Sequence, residues 1–269
     1  MKKYKKVLSI AGSDSCGGAG VQADLKTFSS LSCYGATVIT ALTAQNTTGV
    51  KDVWEVPVEF VEKQIETVLD DIEIDAVKTG MLWSGELIER IAVLLKKYQV
   101  KNVVVDPVMV AQSGDSLAKG DVIDAYKKYL APLTTVFTPN LPEAASFLGY
   151  ELVKLRDMEK AAKEFALFGC KNVLIKGGHL VGDDCVDVLY STSKQERTFF
   201  KERRINTNNN HGTGCTLSSA IAAYLAKGYS VERAIGYSKQ YITKALNAGA
   251  VYELGKGTGV PLHFHATWR

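Results

Sequence analysis

Strand-sized apolar runs alternate with helix-sized amphipathic runs along the whole of this chain, and that alternation restricts its fold more than any other feature. Residues 7–11 read as a strand, followed past a glycine-rich turn by a helical run at 21–31. Residues 36–44 form a second strand. Pro57 then opens a helix in which Phe60, Val61, Ile65, Val68 and Leu69 recur at close to the helical period. Next come a short strand at 74–78, an amphipathic helix at 85–98 and the all-valine strand 103–105, of the kind buried on both faces. A helix around 122–130, a strand at 135–138, helices near 142–148 and 158–168 and a strand at 172–176 continue the series. Two β-like segments at 185–190 and 197–204 precede closing helices near 215–226 and 231–248. This order predicts an α/β fold: a mostly parallel sheet with helices on both faces and a small antiparallel addition near 185–204.

Composition narrows the class. Of 269 residues 46% are apolar, enough for a large core without disulfide or metal staples. No linker or shift in composition divides the chain, so residues 1–269 read as a single domain. The net charge of +3 is too small and too scattered to point to nucleic acid. Its longest apolar runs are strand-sized, against the ~20 residues of a membrane-spanning helix. The apolar stretch behind the N-terminal lysines runs straight into Gly12, too short for a secretion signal. Five cysteines, odd in number and never spaced Cys-x-x-Cys, suggest free thiols in the reducing cytoplasm rather than a disulfide or zinc framework.

In sheets of this type a ligand lies beyond the carboxyl ends of the strands. There the sequence places residues 12–20, Gln45 and Asn46, residues 79–81 and 106–108, residues 138–143 and residues 176–179. The strongest local signal comes later. Gly212 and Gly214 flank Thr213 immediately before a helix-compatible run, a backbone suited to an anionic phosphate at a helix start. An ordinary capped turn would look the same. A nucleotide-binding P-loop is absent, and residues 13–20 do not follow the dinucleotide Gly-x-Gly-x-x-Gly pattern. They fit a loop over a small substrate or a plain connector.

Cys215 falls in the first turn of that helix, where the dipole lowers a thiol's pKa and suits it to a general base; packing is the competing role. Asp106, with Asn140 and Glu143, offers oxygen ligands for Mg²⁺, while Asn140 and Glu143 also fit a capping box. The two roles are compatible. His211, His263 and His265 lack the partner spacing of metal ligands and read as packing or surface residues.

Taken together, IAGSD at 10–14, GGAG at 17–20, QADLKTF at 22–28, TAQNT at 43–47, KTGM at 78–81, TPNLPEA at 138–144, KGGH at 176–179 and HGTGCT at 211–216 occur in one order. This resembles the hydroxymethylpyrimidine/phosphomethylpyrimidine kinases of thiamine biosynthesis, in the ribokinase-like superfamily, over essentially the whole chain. The resemblance implies a ribokinase-like three-layer α/β/α fold. It also implies ATP- and Mg²⁺-dependent phosphorylation of 4-amino-5-hydroxymethyl-2-methylpyrimidine and then of its monophosphate. Carried over, Gln45 would bind the pyrimidine in a pocket lined by Gly12, Ala19, Thr43, Met81 and Val108. Asp24 would lie near the reacting end. Asp106 and Glu143 would serve Mg²⁺, and Asn140 and Lys176 the phosphates. Gly212, Thr213 and Gly214 would form the anion hole, with Cys215 as base. A homodimer is implied as well.

Asn210 stands where the family usually has Thr, and Cys16 where Ser or Pro is common. The nearest alternative is a pyridoxal kinase, though those relatives usually carry Met-Asp where this chain has Gln45 and Asn46. A non-catalytic nucleotide or pyrimidine sensor is disfavoured, because Cys215, Lys176, Asp106 and Glu143 are all retained.

Overall fold

The computed structural model describes residues 2–109 and 120–268. Its strands are β1 (Lys6–Asp14), β2 (Tyr34–Asn46), β3 (Gly49–Glu55), β4 (Ala76–Thr79), β5 (Val103–Val105), β6 (Val136–Phe137), β7 (Asn172–Ile175), β8 (Asp184–Ser191) and β9 (Glu196–Arg203). They form one sheet in the order β3-β2-β1-β4-β5-β6-β7-β8-β9. From β2 to β7 every neighbour is parallel, while β3 at one edge and β8 and β9 at the other run antiparallel.

Helices α1 (Gly20–Ser30), α7 (Thr213–Ala226) and α8 (Val231–Gly249) cover one face. The other carries α2 (Val58–Asp71), α3 (Gly85–Lys97), α4 (Val122–Ala125, continued by a π turn at Tyr126–Leu130), α5 (Leu141–Leu148) and α6 (Leu155–Ala166). The valines of β5 show why the chain layers this way. Val103 and Val105 join the core beneath α2–α6, and Val104 joins the core beneath α7 and α8. Each is fully buried, which contributes roughly 1.5–3 kcal/mol per side chain before the entropy of ordering it. The three-layer α/β/α fold is therefore as the sequence predicts. Among the described residues no helix is long and apolar enough to cross a membrane.

The β2–β3 hairpin differs from expectation. β2 runs on to Asn46, and β3 has no counterpart in the sequence reading. β3 is an edge strand with no wholly buried residue, so it lacks the two-faced apolar pattern that marks the central strands. Its turn carried the legible signal: Asn46 Oδ1 accepts from Thr48 N (2.9 Å) and Thr48 Oγ1 (2.6 Å), and Gly49 has φ 152°. One consequence is that Gln45 sits on a paired strand rather than in a loop.

Candidate active site

The parallel strands all end on one side of the sheet, and there a cavity of about 610 Å³ opens between these ends and the start of α7. Gly12, Ala19, Thr43, Gln45, Met81, Val108, Asp106, Asn140, Glu143, Lys176, Gly212, Thr213, Gly214 and Cys215 all line it. Asp24 does not.

Gly212 caps α7 with φ 79°, in the left-handed region. A Cβ there would stand 1.8 Å from the Gly18 carbonyl oxygen, so only glycine permits this crossing of the 13–20 loop and the helix start. The first-turn N–H groups of α7 thus open into the cavity with the partial positive charge that favours an anion. Lys176, just past β7, brings a full charge to the same region. Its Nζ lies 2.6 Å from Asp106 Oδ1 and 3.8 Å from Glu143 Oε2. Asp106 also accepts from Ser218 Oγ (3.1 Å) and Thr138 Oγ1 (3.3 Å).

Burial opposes the Lys176 charge, but Asp106 and Glu143 outweigh it and the ammonium is held firmly protonated. Burial likewise works against Asp106, yet Lys176 and Lys78 carry its carboxyl below the usual range. Glu143 goes the other way. Burial, aided by Asp106, pushes it up to about 7 against the pull of Lys176. Asn140 and Glu143 do form the capping box of α5, with Glu143 N donating to Asn140 Oδ1 (2.8 Å) and Asn140 N donating to Glu143 Oε2 (2.7 Å).

Asp106 and Glu143 fit Mg²⁺ as hard oxygen donors, and a buried carboxyl with a raised pKa gains from a cation beside it. Among the described residues no cluster of three or more His, Cys, Asp or Glu is arranged to cage a metal, so the remaining ligands would be phosphate oxygens and water.

Two expectations are corrected. Asp24 is fully buried one layer beneath the cavity, not at its reacting end. Its oxygens accept from Lys78 Nζ (2.9 Å to each), Ser9 Oγ (2.5 Å) and Ser219 Oγ (2.6 Å). It holds Lys78, a residue of the cavity wall. For Cys215, burial pushes the thiol up to about 11, against the downward pull of Lys78 and of the Gly20 N–H directed at it. Helix-start position alone does not set this pKa.

The sequence reading missed Asp14 and His211. Asp14 Oδ2 accepts from Gly18 N (3.0 Å), Ala19 N (2.8 Å) and His211 Nε2 (2.9 Å), and Oδ1 accepts from Cys16 N (2.8 Å). Burial resists ionisation of Asp14, but His211 and these N–H groups carry its carboxyl below the usual range. His211 Nε2 also stands 3.3 Å from the Gln45 amide. These partners are far apart in sequence, so no local spacing reveals them. The only signal was an acid beside one glycine-rich loop and a histidine beside another.

A helix start suited to an anion, facing a cavity at the strand ends of a three-layer sheet of this topology, is the architecture of a ribokinase-like phosphotransferase. Residues 14–262 match the phosphomethylpyrimidine kinase family model, and the chain belongs to that family. The hydroxymethylpyrimidine/phosphomethylpyrimidine kinase of Rhizobium meliloti is 48% identical over 97% of this chain and 98% of its own. A thiamine biosynthesis bifunctional protein of Geobacter sulfurreducens is 47% identical over 97% of this chain, which spans about half (52%) of that relative. Among solved structures, Bacillus subtilis pyridoxal kinase in complex with ADP overlays with a TM-score of 0.91 at 39% identity, over 99% of this chain and 100% of that one. Phosphomethylpyrimidine kinase from Clostridium difficile overlays at 0.78 with 47% identity, over 90% of this chain and 99% of that one.

Proposed function

We propose that this enzyme, as a single kinase domain, transfers the γ-phosphoryl group of ATP to the hydroxymethyl group of 4-amino-5-hydroxymethyl-2-methylpyrimidine. It then phosphorylates the monophosphate to the pyrophosphate at the same site. The observation that carries this reading is the Gln45 amide in the cavity wall, 3.2 Å from the Thr43 hydroxyl and 3.3 Å from His211 Nε2. An amide presents a donor and an acceptor side by side, and so do the amino group and adjacent ring nitrogen of an aminopyrimidine. Gly12, Ala19, Met81 and Val108 supply the small and apolar wall around the ring.

Cys215 takes the alcohol proton, and the N–H groups of residues 212–214, with Lys176 and Asn140, hold the transferring phosphoryl group. Asp106 and Glu143 would hold Mg²⁺, which when bound neutralises phosphate charge. All five cysteines are unpaired, which suits the cytoplasm. Following the family likeness, we propose a homodimer.

A specific observation favours a second reading, pyridoxal kinase. On backbone shape it is the better supported, since the overlay on a pyridoxal kinase is both closer and more complete. Pyridoxal also carries a hydroxymethyl group on a nitrogen-containing six-membered ring. Gln45→Ala tests whether Gln45 contacts the acceptor. Leaving a buried partner unpaired costs about 1–3 kcal/mol, so the KM for the aminopyrimidine should rise about tenfold or more while that for ATP holds. Equal damage to both constants removes Gln45 from the acceptor site.

Removing divalent cations with EDTA should abolish turnover, and Mg²⁺ should restore it. Because Glu143 is held near 7, protons compete with the cation below that pH. The Mg²⁺ concentration for half-maximal rate should therefore fall as pH rises from 6 to 8. Glu143→Gln should raise that concentration and flatten its pH dependence; a normal pH response in this variant would take Glu143 out of the cation site.

A further inference from the structure

The contacts around the Gln45 amide do not fit an arbitrary orientation. Asp14 is a carboxylate whose Oδ2 lies 2.9 Å from His211 Nε2, so that nitrogen must carry its proton and donate it. An amide NH₂ turned toward the same nitrogen at 3.3 Å would set donor against donor. At the other end, the Thr43 hydroxyl has one proton and lies 3.0 Å from the Ser13 carbonyl oxygen, which can only accept. Once it donates there, the amide atom 3.2 Å away must be the donor. Both ends favour the flip of the arrangement that puts Oε1 at Thr43 and Nε2 at His211: the amide oxygen toward His211, sharing with Asp14 the single Nε2–H, and the amide nitrogen toward Thr43. The second N–H of that nitrogen and the second lone pair of that oxygen are then left for a ligand, in a fixed order along the wall.

We propose that His211, held by Asp14, is a positioning residue that fixes the Gln45 amide and with it the donor–acceptor order the enzyme reads on its aromatic substrate. This rests on Gln45 being the substrate-contacting amide. The ring nitrogen would lie on the Thr43 side and the amino group on the His211 side. His211 is well held for such a task. Its backbone N donates to the Gly259 carbonyl (2.9 Å), and a Cβ on Gly18 would lie 2.3 Å from its Cδ2, so the 13–20 loop packs directly on the ring. The residue is buried at the cavity wall, at 7% exposure.

The test is a double-mutant cycle in the intact enzyme, reading dissociation constants by calorimetry and KM by turnover for the aminopyrimidine and for ATP. His211→Ala and Gln45→Ala should each weaken the aminopyrimidine about tenfold. The double variant should also lose about tenfold rather than a hundredfold, because His211 acts through Gln45. His211→Gln, whose Nε2 reaches as far as the imidazole Nε2, should recover binding to within about threefold of the parent. ATP constants should stay within about twofold throughout. Additive losses, failure of His211→Gln to rescue, or an equal loss for ATP would overturn the positioning role. If the parent does not take the aminopyrimidine, the substrate reading fails, and the same cycle on pyridoxal decides the role of His211 by the same criteria. If the parent binds neither ring, both fall.

Discussion

Cys215→Ala should lower kcat by about 10²–10⁴-fold, the usual contribution of a general base, while ATP binding measured by calorimetry changes little. As the new P–O bond forms, the substrate alcohol must lose its proton. Cys215 is the thiol on the cavity wall at the start of α7. Burial holds that thiol near 11, so only a small fraction is thiolate at neutral pH, with Lys78 and the Gly20 N–H opposing burial. The sign of the pH dependence follows. A base with a raised pKa becomes active as pH rises, so log kcat should climb with a slope near one from about pH 7 toward 10. Cys215→Asp, already ionised across that range, should retain more activity than Cys215→Ala and show a flatter profile. Parent-like turnover in Cys215→Ala would make the thiol a packing residue. Asp24 would not take its place, because its hydrogen bonds tie it into the buried Lys78, Ser9 and Ser219 network.

Gly212→Ala should be nearly as damaging, through geometry alone. The added Cβ meets the Gly18 carbonyl oxygen at 1.8 Å, and neither backbone can yield without moving the loop that Asp14 clamps. Losing one aligned anion-hole donor typically lowers kcat about 10²–10³-fold, and a left-handed alanine adds about 1–2 kcal/mol of strain. Gly228→Ala is the control. It has φ 86°, but nothing lies within 4 Å of its added Cβ, so it should show the strain alone, as a lower Tm with parent kinetics. Matching kinetics in the two variants would mean that the crossing at Gly212 does not shape the anion hole.

The strands and helices of the core were legible because burial writes itself into local pattern. The valines of β5 need two apolar faces, and the helix at 85–98 keeps one stripe inward. β3 was not legible, because an exposed edge strand places few demands on its side chains. Most of the cavity lining was also foreseeable, since glycine-rich turns and polar residues at strand ends mark where backbone approaches ligand. What sequence could not supply was depth. Asp24 and Cys215 occupy adjacent shells around Lys78, one sealed and saturated, the other on the wall with its pKa raised by burial. The pairing of Asp14 with His211 joins residues 197 positions apart, and only the folded chain brings them together.

The most direct measurement offers the purified enzyme Mg²⁺ and ATP with the aminopyrimidine and pyridoxal in equal amounts, following each phosphorylated product by mass over time. The larger kcat/KM should belong to the aminopyrimidine, and its monophosphate should be converted onward to the pyrophosphate. A larger kcat/KM for pyridoxal, with no pyrophosphate formed, would contradict the proposed substrate and leave pyridoxal kinase as the activity of this site.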